Sequence, residues 1–265
     1  MPAEMTTGYA PVNGVEMYWE SHGTGGVPLI LVHGGYGVTS VFDGLRSRLP
    51  AGRRVIAVEL QGHGHTRDTG RPFTYQGFGD DLAGLIRHLD LGQADLLGVS
   101  LGGGASLRCA IQHPDVIRRL IIVSFPARRS AWFPEVRAAF DQMSSAGLPQ
   151  MSQGPAYAQW AMVAPDPDGF GTLMDQTGQL QRQDYDWSAE ISALPMPVQL
   201  VFADEDSVPA AHAAEMFALL GGGVREPGWD GTFMHKHRLA ILAGQTHYTM
   251  YDAPQLAGVV TDFLG

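Results

Sequence analysis

Six short, largely apolar runs constrain the fold of this chain most strongly. The runs lie at residues 28–32, 54–60, 94–99, 120–125, 197–203 and 238–243. Strands that are apolar throughout are buried on both faces, as parallel strands are when helices cover both sides of a sheet. Between the second and third runs, apolar residues recur at helical spacing over 74–89. The sequence therefore predicts an α/β fold with a doubly wound, mostly parallel central sheet and helices on both faces.

Two shorter signals complete the predicted core. Residues 9–21 form two alternating runs about Asn13-Gly14, a dipeptide that is typical of a two-residue hairpin turn. A helix is predicted over 40–49, after the first buried strand. The core is therefore expected to begin with an antiparallel hairpin and to continue with strands that alternate with helices.

The segment between the fourth and fifth runs breaks this alternation. It has no strong strand signal, is rich in Met, Trp and Phe, and is repeatedly interrupted by proline. Because it is far longer than an ordinary connection, we predict an inserted helical cap over 126–195 and a core domain formed by 1–125 and 196–265. The Met and Trp side chains of the cap either pack it onto the sheet or line an apolar pocket, and the sequence leaves both open.

Composition bounds the class of protein. The 265 residues carry a formal net charge of −10, so there is no basic excess to attract nucleic acid or an anionic membrane. No apolar run approaches the roughly 20 residues of a membrane span, and residues 1–10 lack the pattern of a secretory signal. A cytoplasmic location is therefore expected. The single cysteine, Cys109, cannot form an internal disulfide and is expected to be a buried small hydrophobe.

A serine flanked by glycines follows the third apolar run, in the sequence Gly98-Val99-Ser100-Leu101-Gly102. A strand, a sharp turn and a helix in this order form the G-x-S-x-G nucleophile elbow. Its strained serine leaves no room for a Cβ two residues before or after it. We therefore predict Ser100 as a catalytic nucleophile. Taken alone, the motif equally fits a glycine-rich turn whose serine caps the helix.

The order of the polar residues after Ser100 favours the nucleophile. A serine hydroxyl needs a base and a carboxylate that orients the base, and on such a sheet the acid comes before the histidine. Asp204, Glu205 and Asp206 follow the fifth run, and His247 follows the sixth. Asp206 is predicted as the acid, because a residue further into the turn can reach back towards the histidine.

His247 is predicted as the base by its position. His63 and His65 precede the serine, and His235 and His237 precede the last predicted strand. Only His247 directly follows a strand in the required order.

Two backbone N–H groups are expected to hold the oxyanion of the reaction. One belongs to Leu101, immediately after the nucleophile, and the other comes from the loop after the first buried strand. That loop is glycine-rich over 33–37, and we assign the second donor to Gly35. The loop lacks the lysine and the spacing of a phosphate-binding P-loop.

Five segments together resemble the α/β-hydrolase superfamily, in particular its capped members of the esterase, lactonase and cofactor-free haloperoxidase type. The segments are PLILVHGGYG, RVIAVELQGHGHT, DLLGVSLGGGASL, LVFADEDSVP and LAILAGQTHY. The resemblance implies a triad of Ser100, Asp206 and His247, an oxyanion hole from Gly35 and Leu101, a lid that sets substrate choice, and no cofactor or metal.

Three departures narrow the resemblance. Glu59 and Gln61 stand where the family commonly has Asp and Arg, in a turn that is more structural than catalytic. Tyr36 stands where proline iminopeptidases carry proline, which disfavours an aminopeptidase. A serine nucleophile also weighs against haloalkane dehalogenase and epoxide hydrolase chemistry, which uses aspartate at this position.

The expected function is hydrolysis of a small to medium, largely apolar carboxylic ester or lactone through an acyl-enzyme. The same triad would also serve cleavage of a carbon–carbon bond beside a ketone, or peracid formation of the haloperoxidase type. A ligand-binding protein without turnover is the alternative from another class. A glycine-rich loop over 221–237 is a further candidate border of the site.

Overall fold

The central sheet has eight strands in the computed structural model, which describes residues 5–265. The strands are β1 (Thr6–Val12), β2 (Val15–His22), β3 (Gly25–Val32), β4 (Arg53–Val58), β5 (Ala94–Val99), β6 (Ile117–Val123), β7 (Val198–Glu205) and β8 (Arg238–Thr246). Their order is β1-β2-β4-β3-β5-β6-β7-β8. The pairs β1–β2 and β2–β4 are antiparallel, and all others are parallel. The predicted α/β fold with a mostly parallel sheet is confirmed.

Helices connect the parallel strands. They are α1 (Asp43–Arg46), α2 (Tyr75–His88), α3 (Leu101–Gln112), α4 (Pro134–Gln142), α5 (Leu148–Met151), α6 (Pro155–Ala161), α7 (Phe170–Arg182), α8 (Ser188–Ile191), α9 (Ala210–Leu219) and α10 (Pro254–Leu264). None of the helices within residues 5–265 combines the length and the apolar character needed to cross a membrane. Of the residues that bear on a secretory signal, the first four lie outside the described part of the chain.

Both faces of the sheet are covered, because alternate residues of each central strand enter different cores. Ile30 and Leu96 belong to one core, which also contains residues of α2 and α3. Leu31 and Leu97 belong to the other, which contains residues of α10. This double coverage explains why the central strands are apolar throughout.

The hairpin at the start of the core is also confirmed. Asn13 and Gly14 both have positive φ, 48° and 82°, as a type I′ turn requires. The turn sets the register of β1 and β2, in which Val12 pairs with Val15.

The predicted helix over 40–49 is wrong in type and extent. Residues Thr39–Phe42 form a 3-10 turn, and α1 adds only four residues. Gly44 has a low helix propensity and lies inside the short α1, where a Cβ on it would approach Asp252 Oδ1 to 2.9 Å. Burial of Phe42 and Leu45 anchors the segment instead.

Strand β8 differs from the prediction as well. It lies at the edge of the sheet and pairs only with β7, and Ile241 is 43% exposed. The expectation that this run is buried on both faces is therefore wrong, because an edge strand has a neighbour on one side only.

The segment between β6 and β7 contains helices α4 to α8 and contacts the carboxyl ends of the strands. Trp160 Nε1 donates to the carbonyl oxygen of Gly62, 3.2 Å away in the loop after β4. The backbone N–H of Phe73 donates to Gln176 Oε1 at 3.2 Å. This helical segment thus covers one end of the sheet, and its proposed limits, 126 and 195, stay a prediction.

Candidate active site

Ser100 lies in a strained turn between β5 and α3. Its φ and ψ are 53° and −122°, a combination that non-glycine residues rarely adopt. The turn is tight on both sides. A Cβ on Gly98 would collide with the carbonyl of Gly102, and a Cβ on Gly102 would collide with the carbonyls of Val32 and His33. The flanking glycines are thus required by close backbone contact.

The hydroxyl of Ser100 faces a histidine instead of capping the helix. It makes no capping hydrogen bond to α3 and lies 3.0 Å from His247 Nε2. His247 Nδ1 lies 2.9 Å from Asp206 Oδ1. Because a carboxylate only accepts hydrogen bonds, Nδ1 carries the proton and Nε2 is free to accept the proton of Ser100. The structure therefore brings Ser100, His247 and Asp206 into one hydrogen-bonded chain.

Asp206 is held by four donors in a buried position. Its Oδ1 also accepts the N–H of Ser207 at 2.7 Å, and its Oδ2 accepts from Ser124 Oγ at 2.5 Å and from the N–H of Ala203 at 2.9 Å. Burial alone would raise the pKa of Asp206, but the bonds from His247, Ser124 and Ala203 outweigh it and lower the pKa. The carboxylate is thus kept ionised beside the imidazole.

The other two acidic candidates lie elsewhere. Asp204 and Glu205 are exposed at the end of β7. The carboxylate of Asp204 accepts the N–H groups of Gly244 and Gln245, at 2.9 and 3.1 Å. It therefore braces the end of β8 and does not contact His247.

The remaining candidate histidines have structural surroundings. His63 is buried, and its ring lies 4.8 Å from that of His33. His65 bonds Glu59 Oε2 at 3.0 Å through Nδ1. His235 and His237 stack on each other at 4.7 Å.

Within residues 5–265, the loop after β3 contains a backbone N–H that has no hydrogen-bond acceptor. The N–H of Gly34 donates to the hydroxyl of Tyr251 at 2.5 Å. Within residues 5–265, the N–H groups of Gly35 and Leu101 donate to no other group. A Cβ on Gly35 would lie 3.8 Å from Leu101 Cδ1, so the two predicted donors belong to neighbouring residues in space.

Tyr36 gives this loop a path that a proline could not follow. Its φ is 64°, whereas proline is fixed near −65°. Proline could therefore not replace Tyr36 without a change in the backbone of this loop.

His33 anchors the start of the same loop. Its Nδ1 lies 2.7 Å from the carbonyl oxygen of Gly34, and its Nε2 lies 3.1 Å from the N–H of Leu60. A neutral ring satisfies both contacts, donating through Nδ1 and accepting through Nε2. Burial, with a contribution from nearby His63, lowers the pKa of His33 to about 3, and burial lowers the pKa of His63 to about 4.

Acidification is therefore expected to destabilise the fold between about pH 6.5 and about pH 4. In the unfolded chain both rings have a pKa of about 6.5, so below that pH the unfolded chain binds more protons than the folded protein does. Each histidine then lowers the free energy of unfolding by up to about 1.4 kcal/mol per pH unit. Urea unfolding across this pH range measures the slope. The slope is expected to fall in His63→Gln and to persist in His88→Gln, which changes an exposed histidine; equal slopes in all three proteins would contradict the assignment.

The turn after β4 is held by the buried carboxylate of Glu59. It accepts from the N–H groups of Thr39 and His65, at 3.0 and 2.5 Å. Gln61 bridges Asp68 and Arg71 at 2.7 and 2.9 Å. These contacts explain how Glu59 and Gln61 serve as structural residues of this turn.

A cavity of about 520 Å³ opens above Ser100 and His247. The helical segment contributes Trp132, Val136, Ala139, Phe140 and Met143 to its wall. Among the described residues that line it, Glu135 is the one acidic residue, and none is an arginine or a lysine. The cavity is therefore mainly apolar, although the helical segment also contributes the polar side chains of Glu135, Thr177 and Gln181.

The two alternatives for the Met and Trp side chains of the helical segment are thus both realised. Trp132, Phe140 and Met143 line the cavity, and the ring of Trp132 lies 5.6 Å from that of His247 in an edge-on arrangement. Trp160 and Trp187 are buried away from the cavity.

The glycine-rich loop over 221–237 does not border the cavity above Ser100. Its residues line a separate cavity of about 570 Å³ together with Phe217. Within residues 5–265, no three His, Cys, Asp or Glu side chains are grouped so that they could hold a metal ion. Cys109 is fully buried, and burial raises the pKa of its thiol.

Sequence reasoning missed two polar residues of the site. Ser124, with a φ of 54°, follows β6 and bonds Asp206. Tyr251 lies four residues after His247, lines the cavity and accepts the N–H of Gly34. Ser124 falls inside the predicted strand over 120–125, whereas β6 ends at Val123, so the sequence pattern did not mark Ser124 as a residue of the loop at the carboxyl end of the sheet.

Comparison with known proteins places this fold in a family. The family model for the alpha/beta hydrolase fold matches residues 27–220. The chain is 31% identical to the pimeloyl-[acyl-carrier protein] methyl ester esterase of Neisseria meningitidis serogroup B over 203 residues, which cover 70% of this chain and 77% of that protein.

Two further similarities were found. Over 110 residues the chain is 38% identical to the 2-hydroxymuconate semialdehyde hydrolase of Pseudomonas sp. strain CF600, covering 38% of this chain and 39% of that protein. The crystal structure of the enol-lactonase from Burkholderia xenovorans LB400 has a TM-score of 0.70 at 22% identity, over 97% of this chain and 99% of that one. The similarity to the enol-lactonase structure, at 22% identity, concerns the fold alone. Since the family model spans well over half of the sequence, the chain belongs to the alpha/beta hydrolase family.

Proposed function

We propose that this protein is a serine hydrolase that cleaves a small to medium, neutral and largely apolar carboxylic ester or lactone. The observation that carries the proposal is the hydrogen-bonded chain from Ser100 Oγ through His247 to Asp206, at 3.0 and 2.9 Å. It opens into an apolar cavity of about 520 Å³. A nucleophile, a base and an orienting acid beside such a cavity are the requirements of acyl transfer.

The proposed reaction begins with attack of Ser100 on the carbonyl carbon while His247 Nε2 takes the serine proton. Asp206 keeps the proton on Nδ1 and stabilises the imidazolium that forms. The free N–H groups of Gly35 and Leu101 are proposed to bind the oxyanion. His247 then protonates the leaving alcohol, and water attacks the acyl-enzyme by the same route.

The lining of the cavity supports a neutral substrate. A carboxylate brought into it would meet apolar walls, the charge of Glu135 and no lysine or arginine. Burial of an unpaired charge is strongly unfavourable. The free enzyme is therefore expected to discriminate against anionic esters.

This preference gives a direct test on two esters of similar shape. Methyl butanoate is expected to react with a kcat/KM at least about 10-fold higher than that of monomethyl succinate, which carries a carboxylate at the chain end. The ratio is expected to fall in Glu135→Lys. Glu16→Lys makes the same change of charge at an exposed position on β2 and is expected to keep the wild-type ratio. A wild-type preference for the anionic ester would contradict the neutral cavity.

The similarity to 2-hydroxymuconate semialdehyde hydrolase supports a second candidate, hydrolysis of a carbon–carbon bond beside a ketone. The same triad would serve that reaction. Product analysis separates the two candidates, because ester cleavage releases an alcohol and carbon–carbon cleavage releases none.

A further inference from the structure

Tyr251 has a hydroxyl whose proton is unused at the edge of the catalytic cavity. The oxygen accepts the N–H of Gly34 at 2.5 Å. Within residues 5–265, the same hydroxyl donates to no acceptor, although the side chain lines the cavity beside Ser100. Buried hydroxyl groups ordinarily use their donor as well as their acceptor capacity. The phenol therefore has one hydrogen bond left to give.

The free donor lies close to the nucleophile. A Cβ added to Gly34 would lie 2.8 Å from Tyr251 Oη and 3.2 Å from Ser100 Cβ, so both side chains border the same small space. An oxygen on the carbon that Ser100 attacks would lie in the neighbourhood of this phenol. The phenol also sits beside Gly35, because its partner Gly34 is the preceding residue.

The phenol keeps its proton at neutral pH. Burial raises the pKa of Tyr251 above its ordinary value, and the N–H of Gly34 offsets only part of that rise. Acceptance of the Gly34 N–H also fixes the oxygen, so the donor needs little reorganisation when charge develops.

We propose that Tyr251 is a catalytic hydrogen-bond donor to the carbonyl oxygen of the substrate, acting beside the N–H groups of Gly35 and Leu101. This inference rests on the proposed serine hydrolase function. It assigns the oxyanion a third donor, contributed by the loop that follows His247. The phenol O–H suits the negatively charged tetrahedral oxygen, because hydrogen bonds to charged groups are stronger than those between neutral groups.

Two substitutions at this position separate donation from simple support of the loop. Tyr251→Phe removes the hydroxyl and is expected to lower kcat by about 10- to 150-fold, the equivalent of one hydrogen bond to a charged group, with little change in KM. Tyr251→3-fluorotyrosine keeps the hydroxyl but makes it a better donor and a poorer acceptor. Donation to the oxyanion predicts a kcat above the wild-type value, whereas a role confined to accepting the Gly34 N–H predicts a lower one.

The rate of phosphonylation of Ser100 by a neutral p-nitrophenyl alkylphosphonate provides the readout that does not depend on the natural substrate. The phosphoryl oxygen occupies the place of the oxyanion. The phosphonylation rate is therefore expected to be highest in the 3-fluorotyrosine protein, intermediate in the wild type and lowest in Tyr251→Phe. Tyr9 lies on β1 with an exposed ring. The Tyr9→3-fluorotyrosine protein therefore serves as the control and is expected to react at the wild-type rate. Should Tyr251→Phe fail to fold, the fluorinated protein carries the comparison.

The outcomes keep the two proposals apart. A wild-type protein that reacts with neither esters nor the phosphonate would overturn the proposed function. A reactive wild type, together with a fluorinated protein that is slower or equal, would overturn the role of Tyr251 and leave the proposed function standing.

Discussion

Replacement of Ser100 by alanine is expected to lower kcat for ester hydrolysis by about 10⁴-fold or more, to a residual rate supplied by binding and oxyanion stabilisation alone. The hydroxyl that faces His247 Nε2 at 3.0 Å is the atom proposed to bond to the substrate. The substitution removes only the hydroxyl and leaves the close backbone contacts of Gly98 and Gly102 unchanged. The fold is therefore expected to persist. Initial rates with a chromogenic butanoate ester, alongside thermal unfolding, measure both effects.

Ser106→Ala is the matched control for this experiment. Ser106 lies on α3 and is fully buried, and its hydroxyl has no hydrogen-bond partner within residues 5–265. Loss of that hydroxyl is expected to leave turnover at the wild-type level. Ester turnover retained in a folded Ser100→Ala protein would remove Ser100 from the mechanism.

Replacement of Asp206 by asparagine has the second largest expected effect, a fall in kcat of about 10⁴-fold. Each carboxylate oxygen accepts one backbone N–H, from Ser207 on one side and from Ala203 on the other. In either orientation, the amide NH₂ of asparagine would therefore face a backbone donor. The orientation that satisfies Ser207 and His247 still removes the charge that stabilises the imidazolium. Measurement of kcat, with urea unfolding to detect the lost hydrogen bond, tests the prediction.

Asp204→Asn provides the comparison two residues away. The exposed carboxylate of Asp204 bonds Gly244 and Gln245 and does not contact His247, so turnover is expected to continue at the wild-type rate. Should Asp204→Asn be the slower of the two proteins, the identity of the acid would have to be revised.

The core of the fold could be predicted because burial leaves a direct trace in the sequence. Each central parallel strand is covered on both faces, which requires an unbroken apolar run. The tight contacts at Gly98 and Gly102 leave an equally direct trace, because no residue with a Cβ fits there. A sequence pattern predicts the structure well where local chemistry and tertiary packing require the same residue type at a position.

Other elements could not be predicted, because tertiary contacts decide them. The segment over 40–49 has apolar residues at helical spacing, yet α1 is only four residues long. Strand β8 has the composition of a central strand but lies at the edge. Sequence spacing does not reveal how many neighbours a strand has or where the rest of the chain anchors a helix.

The site shows the same division. The order of Ser100, Asp206 and His247 follows from the topology of the sheet, so these three positions could be chosen from the sequence. Tyr251 could not, since its contact with Gly34 joins residues 217 positions apart. The cavity wall likewise depends on how α4 and the residue that follows it pack, and this packing separates Met143 from the other methionines of the helical segment.

Labelling with the neutral alkylphosphonate, followed by intact-mass and peptide mass spectrometry, tests the proposed serine hydrolase most directly. We expect one adduct per chain, located on Ser100, formed rapidly in the wild type and far more slowly in His247→Ala. An adduct on another residue, or no adduct on a folded protein that still hydrolyses esters, would show that Ser100 is not the nucleophile.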